Sequence, residues 1–286
     1  MDEHLTHLNE HGYLIAPGLV PLAEVEAVQA DLFELFPSPE ALARGDKGSG
    51  PLADGAFGGL VNFPFAGDSL HRLIVHPALL QLAEKTLETT DLRIHQAALW
   101  AKYAGASDYD QSLHADYVNH TLVVPSDDPG VRQLITWILL SDVTPDQGAT
   151  RIVSRRDSAP LPPGVYTREQ HPALYAAEVP AAGPAGTVFA YGPDVLHRGA
   201  AFTAPTGGRF TLTVSFRSAG ADWAGITAWP GHGLDPQMSR FLTTCTPRER
   251  DLFGFPSVDH PYWTAATLDG VARRYPEMDM SPYTPR

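Results

Sequence analysis

A change of hydrophobic period at residue 92 limits this chain more than any other feature. From there to residue 218 the period becomes two, loosely in the first run and masked by a largely apolar composition in the third, in runs bounded by turn residues. The runs are LRIHQAALWAKY, SLHADYVNHTLVV, RQLITWILLSDV, TPDQGATRIV, GTVFAYG and GRFTLTVSFRS. Successive side chains of a strand point to opposite faces, so a period of two marks half-buried strands. No helical pattern of roughly 10–15 residues separates one run from the next, as βαβ units would require. The expectation is an antiparallel sandwich or barrel of at least six strands.

The chain before residue 92 reads differently. Tyr13, Leu14 and Ile15 form a short apolar run before a break at Pro17-Gly18. Leu22, Val25, Val28, Leu32 and Leu35 then recur at spacings of three and four, which predicts an amphipathic helix. Residues 37–68 are dense in Gly and Pro and read as a loop, a candidate cover for a site. Leu70, Ile74, Leu79, Leu80, Leu82 and Leu87 restore a helical pattern. Residues 219–286, rich in Pro and aromatics, read as an irregular wrap. The expected organisation is one domain, 1–286, with a helical part (1–90), a β core (92–218) and that wrap. The fold class is mainly β with flanking helices.

Composition removes several functions. The net charge of −13 repels phosphate backbones and anionic membrane surfaces, so nucleic acid is not an expected partner. No apolar run approaches the roughly 20 residues that span a bilayer. The acidic opening MDEHLTHLNEHGYL lacks the basic and apolar regions of a signal peptide, so a cytoplasmic location is expected. Cys245 is the single cysteine, so no intrachain disulfide forms. No G-x-S-x-G elbow supports a serine hydrolase.

The chemistry centres on His114-Ala115-Asp116. Residues i and i+2 of a strand share a face, so both side chains can reach one ion. With 12 histidines and 21 aspartates in 286 residues, about one His-x-Asp arises by chance, so the triplet alone decides little. His197, in GTVFAYGPDVLHRG, supplies a third ligand after a strand and a Gly-Pro turn. Two imidazoles and one carboxylate make the facial triad of non-haem Fe(II) oxygenases, leaving positions for a 2-oxo acid and O2. Arg209 opens RFTLTVSFR, where polar residues alternate with Phe210, Leu212, Val214 and Phe216. On the polar face its guanidinium suits the distal carboxylate of a dicarboxylic co-substrate; a surface arginine on an edge strand is the plain alternative. Trp100, Lys102, Tyr117, Asn119 and Arg198 are candidates to line a substrate pocket. Core packing, strand surface and a surface ion pair are their plain alternatives.

The order strand, His-x-Asp, strands, Gly turn, His, Arg resembles the phytanoyl-CoA dioxygenase family of Fe(II)/2-oxoglutarate oxygenases. The opening LNEHGYLIAPGLVPLAEVEAV resembles the start of that family as well, so the likeness runs from about residue 5 to 217. The resemblance implies a double-stranded β-helix (jelly-roll, cupin-like) core. It implies His114, Asp116 and His197 as iron ligands, Arg209 as the 2-oxoglutarate anchor, and Gln96 and Thr136 as polar groups near the co-substrate. The implied activity is hydroxylation of an unactivated C–H of a small metabolite, with release of succinate and CO2.

Two departures stand out. After Gly148 the chain reads ATRIVSRRDSAP where the family commonly carries Pro-Gly-Ser-His, and Gly199 replaces a small hydroxyl residue two positions after the distal histidine. The latter leaves the anchor to Arg209 and a threonine from another strand. Two other readings fit the triad: a Zn2+ or Mn2+ hydrolase or isomerase of cupin-like shape, and a non-enzymatic metal-binding relative. Arg209 argues against the first, which has no use for a buried anchor for a second acid. Completeness of the ligand set argues against the second.

Overall fold

In a computed structural model of the chain the alternating runs pair into two antiparallel sheets. The structure describes residues 2–47, 52, 59–106, 109–116, 120–123, 132–159, 161–162 and 164–284. Strands are numbered along the chain. The larger sheet runs in the order β1 (Tyr13–Ala16), β9 (Val188–Tyr191), β5 (Gln133–Leu139), β11 (Gly208–Ser218), β3 (Leu92–Tyr103) and β2 (Leu60–Asn62). The smaller runs β7 (Val165–Tyr166), β4 (Leu113–His114), β10 (His197–Arg198), β6 (Arg151–Ile152) and β8 (Val179–Pro180). Two antiparallel sheets with flanking helices make a jelly-roll core.

Strand parity gives the larger sheet two different faces. Phe210, Leu212, Val214 and Phe216 of β11 join Ala97, Leu99 and Ala101 of β3 in an apolar cluster with helical residues such as Leu32, Leu73 and Leu82. Burying each large side chain there contributes about 1.5–3 kcal/mol. The opposite face meets the smaller sheet through Ile135, Leu139, Phe189 and Tyr191 against Ile152 and Val195. Arg209, Thr211, Thr213 and Ser215 share this inner face, paired with Lys102, Trp100, Ala98 and Gln96 of β3. The register then shifts: Ser215 faces Gln96 but Phe216 faces Ile94, leaving His95 as an extra residue in a bulge.

Three sequence expectations change. The helix expected through Leu22–Leu35 is two helices, Leu22–Ala27 and Gln29–Leu35, although Val25, Val28 and Leu32 still bury one stripe. Residues 37–68 are not all loop: Ser38 caps a helix over Pro39–Ala43, and β2 adds an edge strand beside β3. Much of the expected cover, residues 48–51 and 53–58, lies outside the described residues. The C-terminal part is irregular for most of its length but carries three α-helices, Pro236–Thr244, Pro247–Asp251 and Ala265–Arg274. The first two helices begin on a proline, which breaks a helix interior but suits its first position. Among the described residues no helix is long and apolar enough to cross a membrane.

Candidate metal centre

His114 and His197 are direct partners across the antiparallel pair β4–β10, and His197 also faces Ile152 of β6. Ile152 lies in the cluster between the sheets, so both imidazoles point inward. Asp116 sits in the turn just past β4, not within the strand expected from the His-x-Asp spacing. It still reaches the pair. One ligand atom from each of the three side chains lies within 4.8 Å of the others. His114 Nε2 is 3.8 Å from Asp116 Oδ1, and His197 Nε2 is 3.4 Å from Asp116 Oδ2.

Backbone carbonyls set the tautomers. His114 Nδ1 donates to Ser112 O at 2.9 Å and His197 Nδ1 to Val195 O at 3.0 Å. With Nδ1 so engaged, each Nε2 is the ring atom turned towards the carboxylate, free to take a proton or, once that proton leaves, a metal ion. Burial opposes ionisation of Asp116, but attraction to His197 and the hydrogen bond between them outweigh it, so its carboxyl stays well below the usual range. Burial and the neighbouring His197 lower the pKa of His114. Burial also opposes a charge on His197, yet Asp116 prevails and raises it. An anionic carboxylate between two aimed imidazoles fits a divalent cation.

At the far end of β11, Arg209 is 4 % exposed. Its Nη1 donates to Gly148 O, while its Nε and the Oγ1 of neighbouring Thr211 are buried with no partner among the described residues. Burial lowers the Arg209 pKa, and Tyr109 counteracts part of that shift. A guanidinium and a hydroxyl with unmet capacity on one inner face fit an anion that is itself desolvated.

A family model described as phytanoyl-CoA dioxygenase matches residues 8–208. The chain belongs to this family. Membership makes it a 2-oxoglutarate-dependent oxygenase-type enzyme, with iron and 2-oxoglutarate as its cofactors. The family's fold recurs in solved structures. The epimerase SnoN, in complex with Fe3+, alpha ketoglutarate and nogalamycin RO, is 19% identical with a TM-score of 0.56, covering 76% of this chain and 83% of its own. The alpha ketoglutarate dependent carbocyclase SnoK from nogalamycin biosynthesis is 20% identical, with a TM-score of 0.54 over 77% and 84%. HygX from Streptomyces hygroscopicus, with nickel and 2-oxoglutarate bound, is 17% identical, with a TM-score of 0.55 over 77% and 87%. No curated protein sequence matches the chain significantly.

Against this family background the remaining sequence candidates separate. Gln96 is on the inner face, its Oε1 accepting from Ser215 Oγ at 3.0 Å. Thr136 is not near the centre. It pairs with Val214 and Ala190, which lie under the helices, and its hydroxyl donates to Val214 O at 2.7 Å. The threonine beside the anchor is Thr211, on the anchor's own strand rather than another. Trp100 lies between the sheets, its ring 5.7 Å from that of Trp137. Lys102 is 1 % exposed; its ammonium lies over the Tyr109 ring at 3.8 Å and donates to Tyr109 O at 2.7 Å and to Ala200 O. It ties the segment before β4 to the one after β10 rather than opening onto a pocket. Tyr117 and Asn119 lie outside the described residues.

Arg198 departs from the pocket-lining expectation. Adjacent to His197, it points outward and binds Glu178 through Nε at 2.5 Å and Nη2 at 3.0 Å, with Nη1 on Asp110. The ion pair is buried, not superficial. Arg198→Met strands Glu178 and is expected to cost about 3–5 kcal/mol of stability. Chemical denaturation measures this; unchanged 2-oxoglutarate affinity in the folded variant would accompany a purely structural role. Gly199 has a steric reason. A Cβ there would stand 2.6 Å from Tyr109 Cε2 and 2.8 Å from Gln111 Oε1, so the family's hydroxyl residue does not fit.

Tyr191, which no sequence motif marks, also reaches the centre. Its hydroxyl lies 3.2 Å from both Asp116 Oδ2 and His197 Nε2, and accepts from Trp137 Nε1 at 3.2 Å. An indole N–H only donates, so the single Tyr191 proton points at the ligands. Burial and the Asp116 charge raise its pKa well above the ordinary value, keeping that proton in place. With a cation on His197 Nε2, Asp116 Oδ2 is its remaining acceptor. Tyr191→Phe is expected to weaken metal affinity about 10–100-fold. Competition against a chromophoric chelator reads this, and an unchanged constant would mark the hydroxyl as idle.

Proposed function

We propose that the chain, as a single oxygenase domain, hydroxylates an unactivated C–H bond of a small metabolite, using His114, Asp116 and His197 to hold Fe(II) and Arg209 to hold 2-oxoglutarate. The observation that carries the reading is the pairing of an aimed His-Asp-His set on one sheet with an under-satisfied buried arginine on the inner side of the facing sheet. Iron and 2-oxoglutarate, held by these residues, would supply the oxidant, with O2 consumed, succinate and CO2 released and one oxygen atom left for the substrate. The protein's own part is positioning. Arg209 and Thr211 meet the distal carboxylate, and Tyr109 and Lys102 join that end to the strand of His197. Ser112 and Val195 carbonyls fix both imidazoles, and Tyr191 orients the carboxylate.

Asp116 is a carboxylate rather than a small residue, so it fills the position that a halide would need. This supports hydroxylation over halogenation. The names of SnoN and SnoK show that proteins of this fold also perform epimerisation and ring closure. Labelled oxygen separates the outcomes. Hydroxylation predicts one 18O atom from 18O2 in the product and one in succinate; product without label would replace it with an epimerase- or cyclase-type result.

A further inference from the structure

Two buried histidines beside the metal centre have unmet ring nitrogens. His95 is 2 % exposed, and neither ring nitrogen has a partner among the described residues; His120 is 5 % exposed, and its Nδ1 has none. Their rings meet edge to face, with centroids 6.1 Å apart. His120 donates its N–H to Asp116 O at 3.2 Å and interacts electrostatically with all three triad residues. His95 is the bulged residue of β3, next to Gln96. The segment after β11 holds both backbones: Gly225 N–H donates to His120 O at 2.9 Å and Thr227 N–H to His95 O at 2.9 Å.

Each unmet buried polar atom costs about 1–3 kcal/mol, so three together call for a partner that the described residues do not supply. The co-substrate does not reach them on the reading above. Arg209 and Lys102 face each other at one end of the β11–β3 pair, and His95 lies at the other.

The nitrogens also define the ligand's chemistry. Burial pushes His95 down to about 3, so its ring is neutral. A neutral imidazole offers one donor and one acceptor. A carboxylate only accepts and an ammonium only donates, whereas a hydroxyl does both. The strap that carries His120 bridges Thr121 to Ala224 and leaves Leu122 90 % exposed, with Trp223 and Ile226 exposed beside it. That apolar rim suits a hydrocarbon body.

We propose that His95 and His120 form a substrate subsite that reads a hydroxyl group carried on an apolar body. The proposal rests on the oxygenase reading and deepens it to a substrate class.

The test uses full-length protein with 15N-labelled histidine, loaded with Zn(II) as a diamagnetic stand-in and saturated with 2-oxoglutarate. Three compounds sharing one ring are titrated: trans-cyclohexane-1,2-diol, cyclohexanecarboxylate and cyclohexylammonium. The diol is expected to shift the ring 15N signals of His95 and His120 saturably, and the two ions are not. His95→Phe and His120→Phe should each weaken diol binding roughly tenfold. Retained thermal stabilisation by Zn(II) and 2-oxoglutarate shows that each variant is folded. His120→Gln, which keeps a donor and an acceptor, should recover part of the binding. Unmoved 15N signals with the diol, meaning hydration only, would overturn the subsite, as would preference for the carboxylate or unweakened binding in both Phe variants. Failure of Zn(II) and 2-oxoglutarate to stabilise the wild type would instead strike the oxygenase reading itself.

Discussion

Replacing His197 by alanine is expected to abolish Fe(II)-dependent turnover of 2-oxoglutarate. His197 is central in three ways. It pairs with His114 across the strands, holds Asp116 at 3.4 Å, and has its tautomer set by Val195 O. Its removal leaves two protein ligands and an anionic Asp116 that has lost its principal stabilising neighbour. Succinate release should fall to the metal-free background, and metal titration should show the site lost rather than slowed. Because His197 is buried between the sheets, His197→Gln is a useful second variant. It keeps much of the volume, so loss of metal with an unchanged melting temperature would separate ligation from packing. Near-normal turnover in His197→Ala would remove it from the iron site.

The second large effect belongs to Arg209. Arg209→Leu keeps a long apolar stem but removes the charge-assisted hydrogen bonds, and truncating one partner of a buried charged pair costs about 2–5 kcal/mol. The apparent KM for 2-oxoglutarate should rise on the order of a hundredfold. Metal affinity should change little, since no triad atom bonds to Arg209. Arg209→Lys should recover only part of the loss, because an ammonium cannot match a carboxylate bidentately. A Leu variant with an unaltered KM would make Arg209 a packing residue held by Gly148 O.

Sequence and structure agree where a short spacing determines geometry. The change to period two foretold the sheets. His114-x-Asp116, His197 and Arg209 are legible from local motifs; the structure turns them into the space between the sheets, the triad from β4, β10 and the turn after β4, and Arg209 from β11 of the facing sheet. The errors arise where the outcome depends on partners distant in sequence. Thr136 lies on a largely apolar strand whose two faces cannot be told apart without its register against Val214 and Ala190. Arg198 faces outward because His197 faces inward, and its partners Glu178 and Asp110 lie 20 and 88 residues away. LRIHQAALWAKY alternates only loosely because His95 is inserted by the bulge. The single polar atom of Tyr191 is hidden in the buried run VFAY; the one available signal was a hydroxyl at the end of an otherwise apolar strand, six residues before His197.

The central claim is that His114, Asp116 and His197 hold an iron that consumes 2-oxoglutarate. The most direct measurement is succinate formed in air from 2-oxoglutarate by Fe(II)-loaded protein, set beside the His114→Ala variant under the same conditions. The account predicts succinate and CO2 in equal amounts from the wild type and none above background from the variant. Equal succinate from both proteins, or none from a wild type that demonstrably binds Fe(II) and 2-oxoglutarate across a broad panel of small metabolites, would contradict it.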